Sequence, residues 1–392
     1  MRCAIVYPLF ALYRVPIFQA LVDTQTDDME FCVFFDPTHK SSIKKANPDL
    51  SQGKKWRAVK NINLGFGFVW QWGVLKIALG REFDTLIVLG DAYIVTNWIL
   101  ALICRLRGKK ILFWTHGMYG NESKFKLLVR KTFYRLAHGF LLYGNLAKQL
   151  MVKNGFKPKN LHVIFNSLDF EKQQQVASTL REEDLQQTKR ELFKEFADAP
   201  VMIFIGRLIA RKRLEMLIDA CKKLDERGLS VNVLFVGDGT ERCKLESRVS
   251  ELGLEGRVVF SGPKYEEEEI GSLMQISSIC VSPGDIGLTA IHTLTYGVPV
   301  ITHDNFADHG PEFEAIQPGI NGDFFRQGDV DSLANKIESW LRKHPVLDAN
   351  LKSHCAEVVA KYFNPGFQKQ LIEKAVQGND AEINSEIVLT EN

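Results

Sequence analysis

Short apolar runs rich in β-branched residues alternate with longer amphipathic stretches along almost the whole chain. The runs fall at 3–7, 30–35, 85–90, 110–115, 140–144 and 161–166 in the first half, and at 201–206, 231–237, 257–262, 278–283 and 298–303 in the second. They are continuous rather than alternating, so both faces of each strand must be covered. Parallel sheets flanked by crossover helices satisfy that demand, and the intervening lengths suit βαβ units. At roughly 100–200 residues per domain, 392 residues give two domains. The expected fold is α/β: two doubly wound, Rossmann-like domains in series, with ligand bound in a cleft at the carboxyl ends of the strands.

The expected boundaries are a first domain over 1–175, a linker over 176–199, a second domain over 200–350, helices over 351–377 that pack back on the first domain, and a frayed polar tail over 378–392. The linker region is rich in Gln, Glu and Lys. It contains a helix, Leu185–Phe196, stopped by Asp198-Ala199-Pro200.

Composition narrows the function classes. Hydrophobic residues make up 45% and charged residues 24%, which excludes a disordered or low-complexity chain. The seven cysteines (3, 32, 104, 221, 243, 280, 355) form no CxxC pair and read as reduced core thiols of a cytosolic protein. Charge is split unevenly. Residues 1–170 hold 24 Lys/Arg against 11 Asp/Glu, and residues 171–392 hold 25 against 36. The basic half suits nucleic acid, an anionic membrane or an anionic substrate. No nucleic-acid module or aromatic stacking platform accompanies it, so nucleic acid is not the expected partner. Met1 leads directly into a strand, so no signal peptide is expected. The most apolar stretch, Tyr93–Cys104, is too short to span a bilayer and reads as a buried helix.

The chemistry-bearing motifs follow strands. After the run 201–206 comes Gly206-Arg207-Leu208-Ile209-Ala210-Arg211-Lys212-Arg213, leading into a helix. Gly206 permits a sharp turn, and Arg207 and Lys212 would meet a diphosphate beside free backbone N–H groups. The same residues also fit a solvated basic helix start. After the run 278–283 comes a loop, Gly284-Asp285-Ile286-Gly287, then a helix from about Leu288 to Tyr296. The N–H groups of Gly287, Leu288 and Thr289 would face an anion. Asp285 would accept from sugar hydroxyls or cap the helix. His292, one turn in, is either a ligand contact or a satisfied core histidine.

Together these segments resemble the donor site of family-4 retaining glycosyltransferases of the GT-B fold. The family's Gly-Arg-Leu…Lys phosphate loop is matched by Gly206, Arg207, Leu208 and Lys212. Its Gly-Asp-Gly turn is matched by Gly237-Asp238-Gly239, and its helix ending G-x-P-V-I by Gly297-Val298-Pro299-Val300-Ile301. Pro311-Glu312 and Asn321-Gly322 match later pairs. The likeness is dense over 200–345. One departure stands out: the family's two Glu residues, separated by seven others, are here Gly284 and His292. The resemblance implies a divergent bacterial surface-polysaccharide enzyme. It would take a UDP or GDP sugar, retain anomeric configuration and require neither metal nor cofactor. Its catalytic groups would be His116, Arg207 and Lys212, with Gly206, Asp285, Gly287, Leu288, Thr289 and His292 on the donor.

In the first half, His116 follows the run 110–115; in the resembled family a His so placed reaches donor sugar or acceptor. Tyr13 and Arg14, in the first loop, are weaker candidates for acceptor or phosphate contact. Gly90-Asp91-Ala92-Tyr93 and the pair Lys264-Tyr265 are weaker still. Residues 123–139 carry Lys/Arg at 124, 126, 130, 131 and 135 and no acid, with Phe125, Leu128, Val129, Phe133 and Leu136 on one helical face. That pattern fits packing into the domain core, or contact with an anionic membrane that presents a glycan or lipid-linked acceptor. The expected location is cytoplasmic, peripheral on the inner face of the membrane. Two rivals share the fold: a nucleotide-sugar epimerase and a non-catalytic scaffold.

Overall fold

In the computed structural model, residues 1–24, 29–41, 43–50, 53, 55–120 and 122–378 are described. The polar tail expected beyond Gly378 lies outside them. Two compact units emerge. The first comprises Met1–Leu168 with the C-terminal helix Pro365–Gln377, and the second Asp169–Asn364.

The strands of the first unit are β1 (Arg2–Val6), β2 (Glu30–Phe35), β3 (Trp56–Ala58), β4 (Lys60–Gly65), β5 (Phe68–Trp72), β6 (Thr85–Leu89), β7 (Lys110–Thr115), β8 (Gly139–Leu142) and β9 (Leu161–Val163). Seven form a parallel sheet in the order β3-β2-β1-β6-β7-β8-β9. The second unit contributes β10 (Val201–Ile205), β11 (Asn232–Val236), β12 (Val258–Gly262), β13 (Ile279–Ser282), β14 (Val300–His303) and β15 (Gly322–Phe325). These form a parallel sheet in the order β12-β11-β10-β13-β14-β15. The central strands are buried on both faces, which is why they read as unbroken apolar runs. In each sheet the order reverses beside the first strand, between β1 and β6 and between β10 and β13. Loops leaving the carboxyl ends of such a pair diverge and leave a crevice.

Several expectations need revision. The stretch 176–199 is not an open linker: the helices Phe170–Thr179 and Glu182–Phe193 occupy most of it and belong to the second unit. Of the segment 351–377, the helix Ala349–Tyr362 stays with the second unit and Pro365–Gln377 joins the first. Gln368 anchors the latter, accepting from Ser167 Oγ at 2.7 Å and donating to the Phe165 carbonyl at 2.5 Å. Lys110 Nζ donates to the carbonyls of Ala375 and Val376. Six cysteines are buried, but Cys243 is on the surface. The helix expected over Tyr93–Cys104 spans Val95–Leu106 and is buried on one face only, since Leu102 and Leu106 are exposed. The antiparallel hairpin β4–β5, unforeseen in the sequence, stands apart from the main sheet.

Candidate functional site

The second unit's site is built by three loops that pack backbone to backbone. Gly206 leaves β10 with φ +147° and Gly237 leaves β11 with φ +145°, both in territory that disfavours side chains. A Cβ on Gly237 would strike the Gly206 carbonyl, and one on Gly239 the Leu208 carbonyl. Leu208 N–H donates to the Asp238 carbonyl and Glu241 N–H to that of Leu208, both at 2.9 Å. The third loop closes in the same manner: Gly284 N–H donates to the Lys212 carbonyl at 2.9 Å, and a Cβ on Gly284 would strike the Arg211 carbonyl. This is a physical reason for the departure noted above. The position where the resembled family has its first Glu has no room for a side chain here.

The fastened loops display their charges unequally. Arg207 is exposed and, among the described residues, makes no side-chain hydrogen bond or ion pair. Lys212 is mostly buried. Its ammonium donates to the Asp285 carbonyl at 2.7 Å and lies 3.3 Å from Asp285 Oδ2. Burial lowers its pKa, and Asp285 partly opposes that. Arg211 also reaches Asp285 Oδ2, at 2.7 Å. Asp285 is therefore a counter-ion that fixes the cationic loop, and not a helix cap; its other oxygen, Oδ1, is buried without a partner. The helix beyond spans Thr289–Thr295, with Leu288 at its N-cap and no side-chain cap. It is shorter than expected. Among the described residues the N–H groups of Gly287, Leu288 and Thr289 find no protein acceptor, while Thr289 Oγ1 donates to the Ile205 carbonyl at 3.4 Å. Arg207, Lys212 and these N–H groups surround the switch point, as a site for a diphosphate requires.

Two features were not foreseen. His309 accepts the Ile286 N–H at Nδ1 (3.1 Å) and donates from Nε2 to the His303 carbonyl (2.8 Å). It stacks on His303 with ring centroids 4.0 Å apart. Burial lowers the pKa of both, that of His303 to about 4, so the pair is neutral near pH 7 and pins the loop 284–287 from behind. Gly310 N–H adds a bond to the Ile286 carbonyl at 2.7 Å, and the Glu312 carboxylate lies against Gly287 and Gly310. The second feature is Glu267. His292 Nε2 lies 2.7 Å from its Oε1, to which Tyr296 also donates at 2.9 Å. Burial works against ionisation of Glu267, but the bonds from His292 and Tyr296 hold its pKa below the usual value. A carboxylate thus stands beside His292, delivered by a different helix, Glu267–Gln275. Its only sequence signal was the acidic run 266–269. Lys264 pairs with Glu269 at 3.0 Å, and Tyr265 is exposed.

The first unit offers a different cationic centre. Arg14 is buried among the rings of Tyr7, Tyr13, Trp114 and Tyr143, 4.9–5.5 Å from their centroids. Its Nη2 donates to Tyr143 OH, and Nε and Nη1 have no acceptor. Among the described residues no carboxylate pairs with it, so aromatic faces carry the cost of burying the charge. Contrary to the expectation for an open contact, Arg14 does not reach solvent. His116 does, its ring tilted against that of Tyr143 with centroids 4.7 Å apart. The dense protein around its inner edge, and then Arg14 and Arg130, lower its pKa to about 4. Gly90 follows β6 in contact with β7: a Cβ there would lie 2.7 Å from Thr115 Cβ. Asp91 Oδ1 accepts the Tyr93 N–H at 2.9 Å. In the helix Lys124–Tyr134, Phe133 is buried but Phe125 and Leu128 are exposed.

Residues 186–357, all of them within the second unit, match the family model described as glycosyl transferases group 1. Over those residues the chain is similar to the glycosyl transferases group 1 family. The lipopolysaccharide core biosynthesis glycosyltransferase LpsE of Rhizobium meliloti is 29% identical over 161 residues, covering 41% of this chain and 44% of that protein. The chain thus spans less than half the length of that relative. An uncharacterized glycosyltransferase of Methanocaldococcus jannaschii is 27% identical over 75% of this chain and 72% of its own. Among solved structures, Anabaena HepE in complex with UDP superposes with TM-score 0.72 at 19% identity, covering 96% of this chain and all of that one. The fold is GT-B, with two Rossmann-like domains. The matched residues include all three stitched loops, with Arg207, Lys212, Asp285 and His292 among them.

Proposed function

We propose that this protein is a retaining glycosyltransferase. It would move a sugar from a UDP or GDP sugar to a hydroxyl of a glycan or lipid-linked acceptor in cell-surface polysaccharide synthesis. The observation that carries the reading is the arrangement at the second unit's switch point: an exposed guanidinium, a fixed ammonium and three backbone N–H groups that have no acceptor among the described residues. The names of relatives support it, including LpsE and a lipopolysaccharide 1,6-galactosyltransferase of Salmonella typhimurium, as do neighbours solved with UDP and UDP-glucose.

In this mechanism the bond between the sugar's anomeric carbon and the diphosphate oxygen breaks, and its electron pair leaves with the phosphate. Arg207 and Lys212 stabilise that growing charge, doing what a metal ion does elsewhere. The acceptor hydroxyl attacks from the same face, and its proton passes to the departing phosphate oxygen. Losing either cation lowers the rate by about 10²–10³, by analogy with deletion of an oxyanion-hole donor. Fixed in advance by Asp285, Lys212 needs little reorganisation when the charge develops. His116, neutral and open to solvent, contacts donor sugar or acceptor. The basic helix Lys124–Tyr134 faces an anionic membrane from the cytoplasmic side.

The test is incubation with nucleotide sugars and lipid-linked acceptors, reading the anomeric coupling of the product by NMR. Transfer with retention, unaffected by EDTA, is the expected result. An inverted product, or an epimer formed from nucleotide sugar alone, contradicts it.

A further inference from the structure

The hairpin β4–β5 has its polarity turned inside out. Cross-strand register pairs Lys60 with Trp72, Asn61 with Gln71, Ile62 with Trp70 and Asn63 with Val69. Side chains alternate across a strand, so Asn61, Asn63, Val69 and Gln71 share one face, and Lys60, Ile62, Trp70 and Trp72 the other, before the register shifts at Leu64. The polar face is the one turned inward. Gln71 is buried, its N–H donates to Thr96 Oγ1 at 2.7 Å, and its side-chain amide donates to Asn61 at 3.1 Å. The apolar face points to solvent, with Leu64 53% and Trp72 63% exposed.

The turn goes further in the same direction. Gly65, Phe66 and Gly67 all have positive φ, at 90°, 49° and 82°. Asn or Gly suits such a tip in water. Here the middle residue is a phenylalanine, 98% exposed. Nor is the hairpin an isolated spike. Phe68 packs on Tyr93, and Val69 bridges to Ile94 at the start of the helix Val95–Leu106. That helix carries the exposed apolar stripe Ile99, Leu102 and Leu106 outward from the same end.

Charge identifies what covers this surface. From residue 50 to 168 the only acids are Glu82, Asp84, Asp91 and Glu122. Glu82 is paired with Arg57, and Glu122 with Arg130. Among the described residues, exposed Lys60, Lys76, Lys124 and Lys126 have no acidic partner. A second copy of the chain would set one cation-rich surface against another. An anionic bilayer meets both demands, taking the aromatic and aliphatic groups into its interfacial zone while its headgroups attract the lysines.

We propose that the hairpin β4–β5, continued by the outer stripe of the helix Val95–Leu106, inserts Phe66 and its neighbours into the interface of an anionic bilayer. This deepens the membrane-side acceptor reading above by naming the element that enters the lipid. The helix Lys124–Tyr134 then contributes charge beside the wedge rather than the wedge itself.

The test uses the full chain with vesicles of phosphatidylcholine alone and with 30% phosphatidylglycerol. The variant Phe66→Asn with Leu64→Ser alters only exposed side chains, and Asn accepts the tip's backbone. Wild type is expected to sediment with the anionic vesicles, and bromine-labelled lipids to quench its tryptophan emission. The variant is expected to partition at least about tenfold more weakly with its melting temperature unchanged. UDP affinity, measured in the same preparations, is expected to be equal in both, so a failure of donor binding is read separately from a failure of the wedge. Equal partition of variant and wild type overturns the proposal. So does absence of vesicle binding by a folded chain, or a dimer in lipid-free solution that the double variant dissolves.

Discussion

Each unit holds a cationic centre near the carboxyl ends of its strands, and the two are built on opposite principles. Arg14 in the first unit is sealed within aromatic rings and, among the described residues, has no acid beside it and two nitrogens without a partner. Arg207 and Lys212 in the second lie on loops fastened by backbone contact, one cation open and the other held by Asp285. A buried cation acts through what surrounds it: Arg14 orders Tyr143 and helps keep His116 neutral. An open cation acts by touch. The contrast separates a residue that conditions a site from residues that would grip a ligand, and substitutions can separate them in turn.

The largest effect is expected at the backbone contacts of the second centre. Gly284→Glu restores the residue type of the resembled family but drives a side chain into the Arg211–Lys212 backbone. It should destabilise the protein by about 3 kcal/mol or more, at the upper end for overpacking. A denaturant titration showing unchanged stability would mean the loops are not fastened as described. Acid comes next. His303 and His309 have pKa values below those of the unfolded chain, so from about pH 6.5 down toward 4 the unfolded state binds protons that the native state does not. Stability therefore falls across that window. Protonating His309 at Nδ1 also breaks its bond with Ile286. Hydrogen exchange should show 284–310 opening first, whereas the Arg14 guanidinium keeps its charge throughout.

A smaller effect is expected at the first centre. Arg14→Met replaces a buried charge with an apolar side chain and should leave the melting temperature equal or higher. It should also move the His116 titration, followed by NMR, part of the way from about 4 toward its ordinary value. A stable variant with an unmoved His116 removes the link between them. The smallest expected change is at Glu267→Gln, which weakens one charged hydrogen bond to His292. Nucleotide affinity should drop about fivefold, the scale of one hydrogen bond, as read by calorimetry.

The sheets were legible because parallel strands buried on both faces must be apolar throughout; β1, β7, β10 and β11 announce themselves in this way. The strand β15 is short, with a polar Asp323 among four residues. The hairpin was not legible because its inward face is polar and its outward face apolar, the reverse of the pattern that marks a half-buried strand. Within the site, Gly206, Arg207 and Lys212 could be read from one continuous motif. The engagement of Asp285 with Lys212, and of Glu267 with His292, could not. Each joins residues brought together only by the sheet order, across 73 and 25 positions of chain. Arg14 was visible as a residue but not as a buried one, because Trp114 and Tyr143 come from other strands and loops.

The central claim is that Arg207 and Lys212 hold the diphosphate of a nucleotide sugar. Calorimetry of UDP and GDP against the wild type and the variant Arg207→Ala with Lys212→Ala tests it directly. Binding of one nucleotide by the wild type, with at least about a hundredfold loss in a variant that remains folded, is the predicted result. Equal affinity in both proteins would contradict it.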